Sequence, residues 1–264
     1  MKNKNSKTIV FVTGAFVSHT GWSNWITYFE NLGYNCIAEP WPEKYGTAAE
    51  LREKQPNDIG LADLRYKEVL EHYAAICNRL PEKPILIGHS LGGLTVQLLL
   101  QRGLGSAAIA IHSVPPQGVL SFEFSFLKSL WKPLGLFSSL KKTHLMSFPE
   151  WQYAFTNGMD YREQKEAYEQ NTIPESRRVM RDPLGSIGKI DFKKPHAPLL
   201  FIAGSTDHIM PASLNYTNYK KYNDRDSVTE YKVFEGKNHY VLGLPSWKDE
   251  AHYALEFINR NLSE

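Results

Sequence analysis

A serine between two glycines, Gly88-His89-Ser90-Leu91-Gly92, followed by another glycine at Gly93, constrains this chain more than any other stretch. The apolar run Ile85-Leu86-Ile87 leads into it and a helical pattern leads out, so Ser90 falls on a strand-to-helix turn. That turn forces the serine into a strained backbone conformation, and side chains at 88 or 92 would collide with neighbouring backbone, which is why both are glycine. Ser90 Oγ is thereby lifted out at the sheet edge, with the first N–H groups of the next helix aimed at the same spot. The five-residue pattern alone arises by chance. The strand before it, the helix after it and Gly93 supply the context of a presented nucleophile.

The rest of the chain alternates around this turn. Ile9–Val12 reads as a buried central strand ending at Thr13-Gly14-Ala15-Phe16, where a tight turn can aim the Ala15 N–H into a cleft as an anion donor. Trp22 to Leu32 carries a helical stripe closed by Gly33, and Tyr34–Ala38 reads as a second buried strand. Residues 43–58 read as a loop with at most a short helix, and Leu61 to Leu80 as one long helix. After the serine turn and its helix, Ala107–Ile111 is another strand. From 112 to 197 no convincing strand follows. A dense aromatic series takes its place: Phe122, Phe124, Phe126, Trp131, Phe137, Phe148, Trp151, Tyr153 and Phe155. Alternation resumes with strands at Pro198–Ala203 and Val228–Phe234 and helices at about Ala212–Tyr222 and Trp247–Asn261. The pattern predicts an α/β fold with a doubly wound, mostly parallel sheet, a core of residues 1–111 and 198–264, and a mainly helical cap inserted at 112–197.

A serine is a weak nucleophile until a base takes its proton, so the chain must supply a histidine and usually a carboxylate. Asp207 lies on the loop after the strand at 198–203 and His239 on the loop after the strand at 228–234, both at strand carboxyl ends facing the serine turn. The loop after 107–111, His112-Ser113-Val114-Pro115-Pro116, offers no carboxylate. The chain order is therefore Ser90, Asp207, His239. The other histidines read as packing or surface residues. His89, His112 and His208 adjoin motifs without a required role, and His19 is a candidate pocket residue near Trp22.

These stretches resemble the α/β-hydrolase superfamily, with matches at the Gly-His-Ser-Leu-Gly-Gly turn, at Gly204, Asp207 and Pro211, and at Gly236 and His239. The resemblance implies that Ser90 attacks an acyl carbon, His239 shuttles the proton and Asp207 orients the imidazole. It also implies that the N–H groups of Ala15 and Leu91 hold the oxyanion, a contribution of about 3 kcal/mol per donor, and that no metal or organic cofactor is needed. Many members carry His-Gly where this chain has Thr13-Gly14, which changes loop support without removing a backbone donor.

The serine argues against the dehalogenases and epoxide hydrolases of this fold, which use aspartate. It leaves esterases, lactonases, thioesterases, amidases, carbon–carbon hydrolases, haloperoxidases and hydroxynitrile lyases, and, from another class, a hydrolase-fold receptor. The aromatic cap points to a roomy apolar chamber and a bulky hydrophobic ester or lactone substrate. Macrolide-antibiotic esterases are similar in size and cap character. Phe16, His19, Trp22, Phe122, Phe126, Trp151 and Phe155 are the candidate substrate-binding residues. Lys+Arg of 30 against Asp+Glu of 28, with no basic run, gives no reason to expect a nucleic-acid partner. Cys36 and Cys77 lack metal-ligand or redox spacing and read as free thiols. Lys2, Lys4 and Lys7 precede an apolar stretch but no cleavage site follows, so the reading is an unprocessed cytoplasmic protein with no membrane span and a frayed tail of six or seven residues. The sequence leaves the oligomeric state open.

Overall fold

The computed structural model describes residues 6–262. Short runs of aliphatic and β-branched residues become strands and the 3.6-periodic runs between them become helices. In chain order these are β1 (Thr8–Val12), α1 (Ser23–Glu30), β2 (Asn35–Ile37), α2 (Ala48–Glu53), α3 (Ile59–Asp63), α4 (Tyr66–Arg79), β3 (Ile85–His89), α5 (Leu91–Gln101) and β4 (Ala107–Ile111). The helices α6 (Phe124–Leu134), α7 (Phe148–Ala154), α8 (Tyr161–Asn171) and α9 (Arg177–Arg181) fill the span before β5 (Leu199–Gly204), which α10 (Ala212–Lys221), β6 (Thr229–Phe234) and α11 (Lys248–Leu262) follow. The strands form one sheet in the order β2-β1-β3-β4-β5-β6, parallel throughout.

Parallel strands buried on both faces read as continuous apolar runs, and period two then sorts their side chains. Val10, Val12, Leu86, Ala108 and Phe201 face a layer that includes α4 and α5. Ile9, Phe11, Ile85, Ile109 and Ile202 face Trp25 and Phe29 of α1 and Phe257 of α11. Each fully buried large side chain contributes about 1.5–3 kcal/mol. The segment between β4 and β5, called the insert below, joins the first layer through Met146, Trp151, Phe155 and Val179, and its Ile173 packs with Ala48 and Leu51 in a small separate cluster.

Four expectations are corrected. The strand expected at Tyr34–Ala38 shrinks to three residues and is not buried, because β2 lies at the sheet edge and pairs only with β1. The helix expected over 61–80 breaks at Leu64, and α4 starts afresh at Tyr66. Asp182 of the insert causes the restart: it accepts two bonds from the Arg65 guanidinium at 2.8 and 2.7 Å and one from the Tyr66 N–H at 3.1 Å, satisfying a helix-start donor. As a proline, Pro211 is expected at the first helical position with Met210 nearer the cap, but α10 begins at Ala212 and Pro211 is its cap. The fraying expected of the first six or seven residues lies for residues 1–5 outside the described residues, but it does not extend to Ser6, whose side chain is buried and whose hydroxyl lies 3.3 Å from Glu82. Both cysteines are free, and burial pushes the Cys36 thiol up to about 12 and the Cys77 thiol up to about 11. Among the described residues no helix is long and apolar enough to cross a membrane.

Candidate active site

The turn between β3 and α5 is as tight as its glycines require. Ser90 has φ 57° and ψ −119°, a conformation that a side-chain-bearing residue keeps only when its surroundings enforce it. They do so with backbone bonds: the Ser90 N–H donates to Ile111 O at 2.9 Å, and Ser90 O accepts from Gly93 at 2.9 Å and from Val114 at 3.0 Å. A Cβ at Gly92 would stand 2.0 Å from Val12 O, and one at Gly88 2.2 Å from Gly92 O. The turn after β1 comes equally close, since a Cβ at Gly14 would lie 2.7 Å from the Ser90 Cβ. Two backbone turns therefore clasp the serine, and the three positions exclude any larger residue.

The loops after β5 and β6 bring the expected acid and base together. His239 Nδ1 lies 2.6 Å from Asp207 Oδ2, and both side chains are fully buried. A carboxylate only accepts, so the proton sits on Nδ1, which leaves Nε2 as the lone-pair nitrogen. That Nε2 has no hydrogen-bond partner among the described residues. Asp207 Oδ1 accepts from the N–H groups of Ile209 and Met210 at 2.9 and 2.8 Å.

Two histidines given no role by the sequence complete this cluster. His112, at the end of β4 with φ 46°, places Nδ1 2.7 Å from the same Asp207 Oδ2. His89 packs its ring 4.6 Å from that of His239, and its Nε2 lies 3.0 Å from the His239 carbonyl, to which it donates. Burial alone would raise the Asp207 pKa, but His239 and His112 together hold it far below the usual carboxylate range. Burial lowers His239, with Asp207 working against that, so the imidazole is neutral and able to accept a proton at neutral pH. Burial, helped by His239 and His112, drives His89 well down and leaves it neutral. The nitrogen and oxygen atoms of His112, Asp207 and His239 lie within 4.8 Å of one another, the spacing of a metal cluster, yet a proton on each Nδ1 accounts for both contacts to Oδ2. Adjacent strand ends within one parallel sheet place His112 beside Asp207, and the signal available in sequence was its position just after β4.

The turn at Thr13–Phe16 lies against the serine turn. Neither the Ala15 nor the Leu91 N–H has a protein acceptor among the described residues; Leu91 follows Ser90 in the chain, and Ala15 follows Gly14, where a Cβ would lie 2.7 Å from the Ser90 Cβ. Phe16 is held at φ 67°, and its N–H donates to Glu175 Oε2 at 3.3 Å. Glu175 is fully buried and bonded to Lys44, whose ammonium is also buried and lies 3.7 Å from the centre of the Trp41 ring. Burial pulls the Lys44 pKa down and Glu175 opposes that. The insert's backbone also pairs with this turn: Ile173 N–H donates to Phe16 O at 3.0 Å and Ser18 N–H to Asn171 O at 3.1 Å.

Ser90 is itself almost covered, 5% exposed, and lines neither of the two cavities that its chain neighbours reach. The residue after it, Leu91, lines an apolar cavity of about 780 Å³ together with Val114, Phe126, Leu130 and Met210. The residue before it, His89, lines a more polar cavity of about 250 Å³ with His239, Phe155, Asn171 and Tyr240. Of the candidate binding residues, Phe126 faces the large cavity, and Phe155 faces the small one with its ring edge-on to His239 at 4.7 Å. The others are placed elsewhere. Trp22 packs on Phe11, 4.9 Å away, in the layer containing α1 and α11. Trp151 is fully buried and stacked on Phe155 at 4.3 Å. Phe122 points into solvent at 85% exposure, Phe16 is buried in the turn against His144, and His19 lines a narrow crevice beside Lys44.

A family model described as "Alpha/beta hydrolase family" matches residues 9–249. Among curated proteins none matches this sequence. Among solved structures, tomato methylketone synthase I bound to β-ketoheptanoate is similar at 15% identity and a TM-score of 0.70, covering 97% of this chain and 99% of its own. An extracellular α/β-hydrolase from a Paenibacillus species, described as sharing structural and functional homology with tobacco salicylic acid binding protein 2, is similar at 17% identity, a TM-score of 0.67 and coverage of 97% and 99%. A monoacylglycerol lipase of Paleococcus ferrophilus is similar at 20% identity, a TM-score of 0.64 and coverage of 100% and 97%. At these identities the likeness is one of fold.

Proposed function

The chain belongs to the alpha/beta hydrolase family, and from that premise we propose that it is a serine hydrolase of carboxylic esters or lactones of bulky apolar substrates. One observation carries the reading: a strained, clasped serine follows directly on His89, whose ring packs 4.6 Å from a buried imidazole whose Nδ1–H is held by a carboxylate and whose Nε2 is unpaired. In the proposed cycle His239 Nε2 takes the Ser90 hydroxyl proton as Oγ attacks the acyl carbon, and the Ala15 and Leu91 N–H groups receive the developing oxyanion. His239 then returns the proton to the leaving alkoxide. Water, activated by the same nitrogen, releases the acid and restores Ser90.

The cavity lined by Phe126, Leu130 and Met210, about 780 Å³, supports a large apolar substrate, and the lactone ring of a macrolide antibiotic is one member of that class. A fluorophosphonate probe labels Ser90 if the reading holds, and Ser90→Ala folds but loses at least about three orders of magnitude in kcat. Labelling at another residue, or full activity without Ser90, overturns it. Product analysis over a panel of acetates, long-chain esters, macrolactones and amides then assigns the substrate class.

A further inference from the structure

Asp207 serves two imidazoles, and the cycle proposed above uses one. His112 Nδ1 and His239 Nδ1 meet the same carboxylate oxygen at 2.7 and 2.6 Å, while the other oxygen takes the backbone donors of Ile209 and Met210. Four donors thus occupy a carboxylate with about four lone-pair sites. His112 is fully buried and its Nε2 has no partner among the described residues. An unpaired polar atom in that setting costs stability, so a hydrocarbon side chain would serve better if packing were the only requirement. The positive φ at position 112 favours histidine, asparagine or aspartate, and of these histidine supplies a ring whose Nδ1–H reaches Oδ2.

Each donor added to a carboxylate spreads its charge and weakens its pull on the proton of every other donor. We propose that His112 is a positioning residue that fixes Asp207 through its Nδ1–H and divides the carboxylate's charge, so that His239 is a weaker base than a triad with an undivided carboxylate would give. His239 then stays in its neutral, proton-accepting form to lower pH. The catalytic meaning of this rests on the serine-hydrolase reading, but the titration itself does not.

Among the described residues the titratable groups that face His239 come from three strand ends: Asp207 after β5, His112 at β4 and His89 on β3. Phe155 of the insert covers the ring with an apolar edge. Lys237, on the same loop as His239, turns its ammonium away to Ser246 and Asp249. His112 is therefore the group whose removal changes the field on Asp207 without touching the nucleophile or the oxyanion donors.

Two substitutions separate the hydrogen bond from the bulk of the ring. His112→Asn puts an amide N–H where Nδ1 stood and tolerates the positive φ, whereas His112→Phe keeps the ring and removes the donor. His239 is titrated by NMR in the Ser90→Ala background, and the acid limb of kcat/KM is measured with Ser90 present. The expected result is a rise of about one pH unit in the His239 midpoint and in the acid limb for His112→Phe, with His112→Asn staying close to wild type. A folded His112→Phe with an unmoved midpoint, or a His112→Asn that behaves like His112→Phe, overturns the proposal. Should the phenylalanine variant fail to fold, the low-field proton spectrum decides: two Nδ1–H resonances in wild type with one lost in His112→Asn supports the shared carboxylate, and a single resonance in wild type refutes it. Absence of probe labelling at Ser90 would sink the hydrolase reading while leaving this titration readable.

Discussion

One carbon added at Gly92 would stand 2.0 Å from Val12 O, whereas on α6 the rings of Phe124 and Trp131 stand 76% and 69% exposed. The turns at the carboxyl ends of β1, β3, β4, β5 and β6 are specified atom by atom. They hold Ser90 and His112 at positive φ, and they collect Asp207, His239 and His89 within one buried cluster. The insert distributes its aromatic residues among unrelated tasks: Trp151 in the core, Phe126 on the large cavity, Phe155 against His239, Phe122 in solvent. In the turns, residue type follows from backbone geometry. In the insert it follows from which neighbour each ring happens to meet, and sequence spacing does not encode that.

The largest effect expected from this contrast is at Asp207. Asp207→Asn keeps the shape but removes the charge and can present an amide N–H to Nδ1, so turnover falls about 10⁴-fold as the imidazole loses its orientation. Rate measurements alongside an unchanged circular dichroism spectrum test this. Near-wild-type turnover would mean the turns are less exacting than their geometry implies. Within the insert, Trp151→Ala loses about 3–5 kcal/mol of stability in denaturant unfolding, because the indole is fully buried and stacked on Phe155. A small loss there would place Trp151 outside the core.

Phe126→Ala is expected to raise KM about tenfold for long-chain or macrocyclic esters and little for an acetate, since it removes apolar wall without opening the core. Equal losses on both substrates would show that this ring only supports the insert. The smallest effect belongs to Phe122→Ser, at 85% exposure, whose melting temperature and kcat/KM stay near wild type, with a stability change within about 0.5 kcal/mol. A large loss there would mean the exposed face of the insert is covered by something in solution.

How much was legible from sequence follows the same division. The serine turn could be read because a forbidden Cβ forces glycine, and the parallel sheet because buried strands must be short apolar runs. Asp207 and His239 could be placed because strand ends point the same way in a parallel sheet. His112 and His89 were missed for a related reason: chemistry that needs one base gives no reason to look for a shared acid, although both residues sit at strand ends beside Ser90. The break at Leu64 was hidden because Asp182, distant in sequence, supplies the cap. Trp22, one of the candidate binding residues, ends the short helical turn before α1 and packs on Phe11, in the layer on the other face of the sheet.

The buried Lys44–Glu175 pair bears on how such a protein can be rebuilt. One partner belongs to the loop after β2 and the other to the insert, and Glu175, bonded to Lys44, accepts from the Phe16 N–H, next in the chain to the Ala15 N–H. Grafting a foreign insert with junctions outside residues 171–176 would strand a cationic side chain in the interior and release the donor turn, a cost of several kcal/mol for the unpaired charge alone, about 3–5 by comparison with other buried pairs. Junctions nearer Val114 and Met146 leave that strut intact. On the proposed reading, the segment between them, with α6 at its centre, is the part of this scaffold that recombination can exchange to reshape the substrate chamber while the turn after β1 keeps its footing.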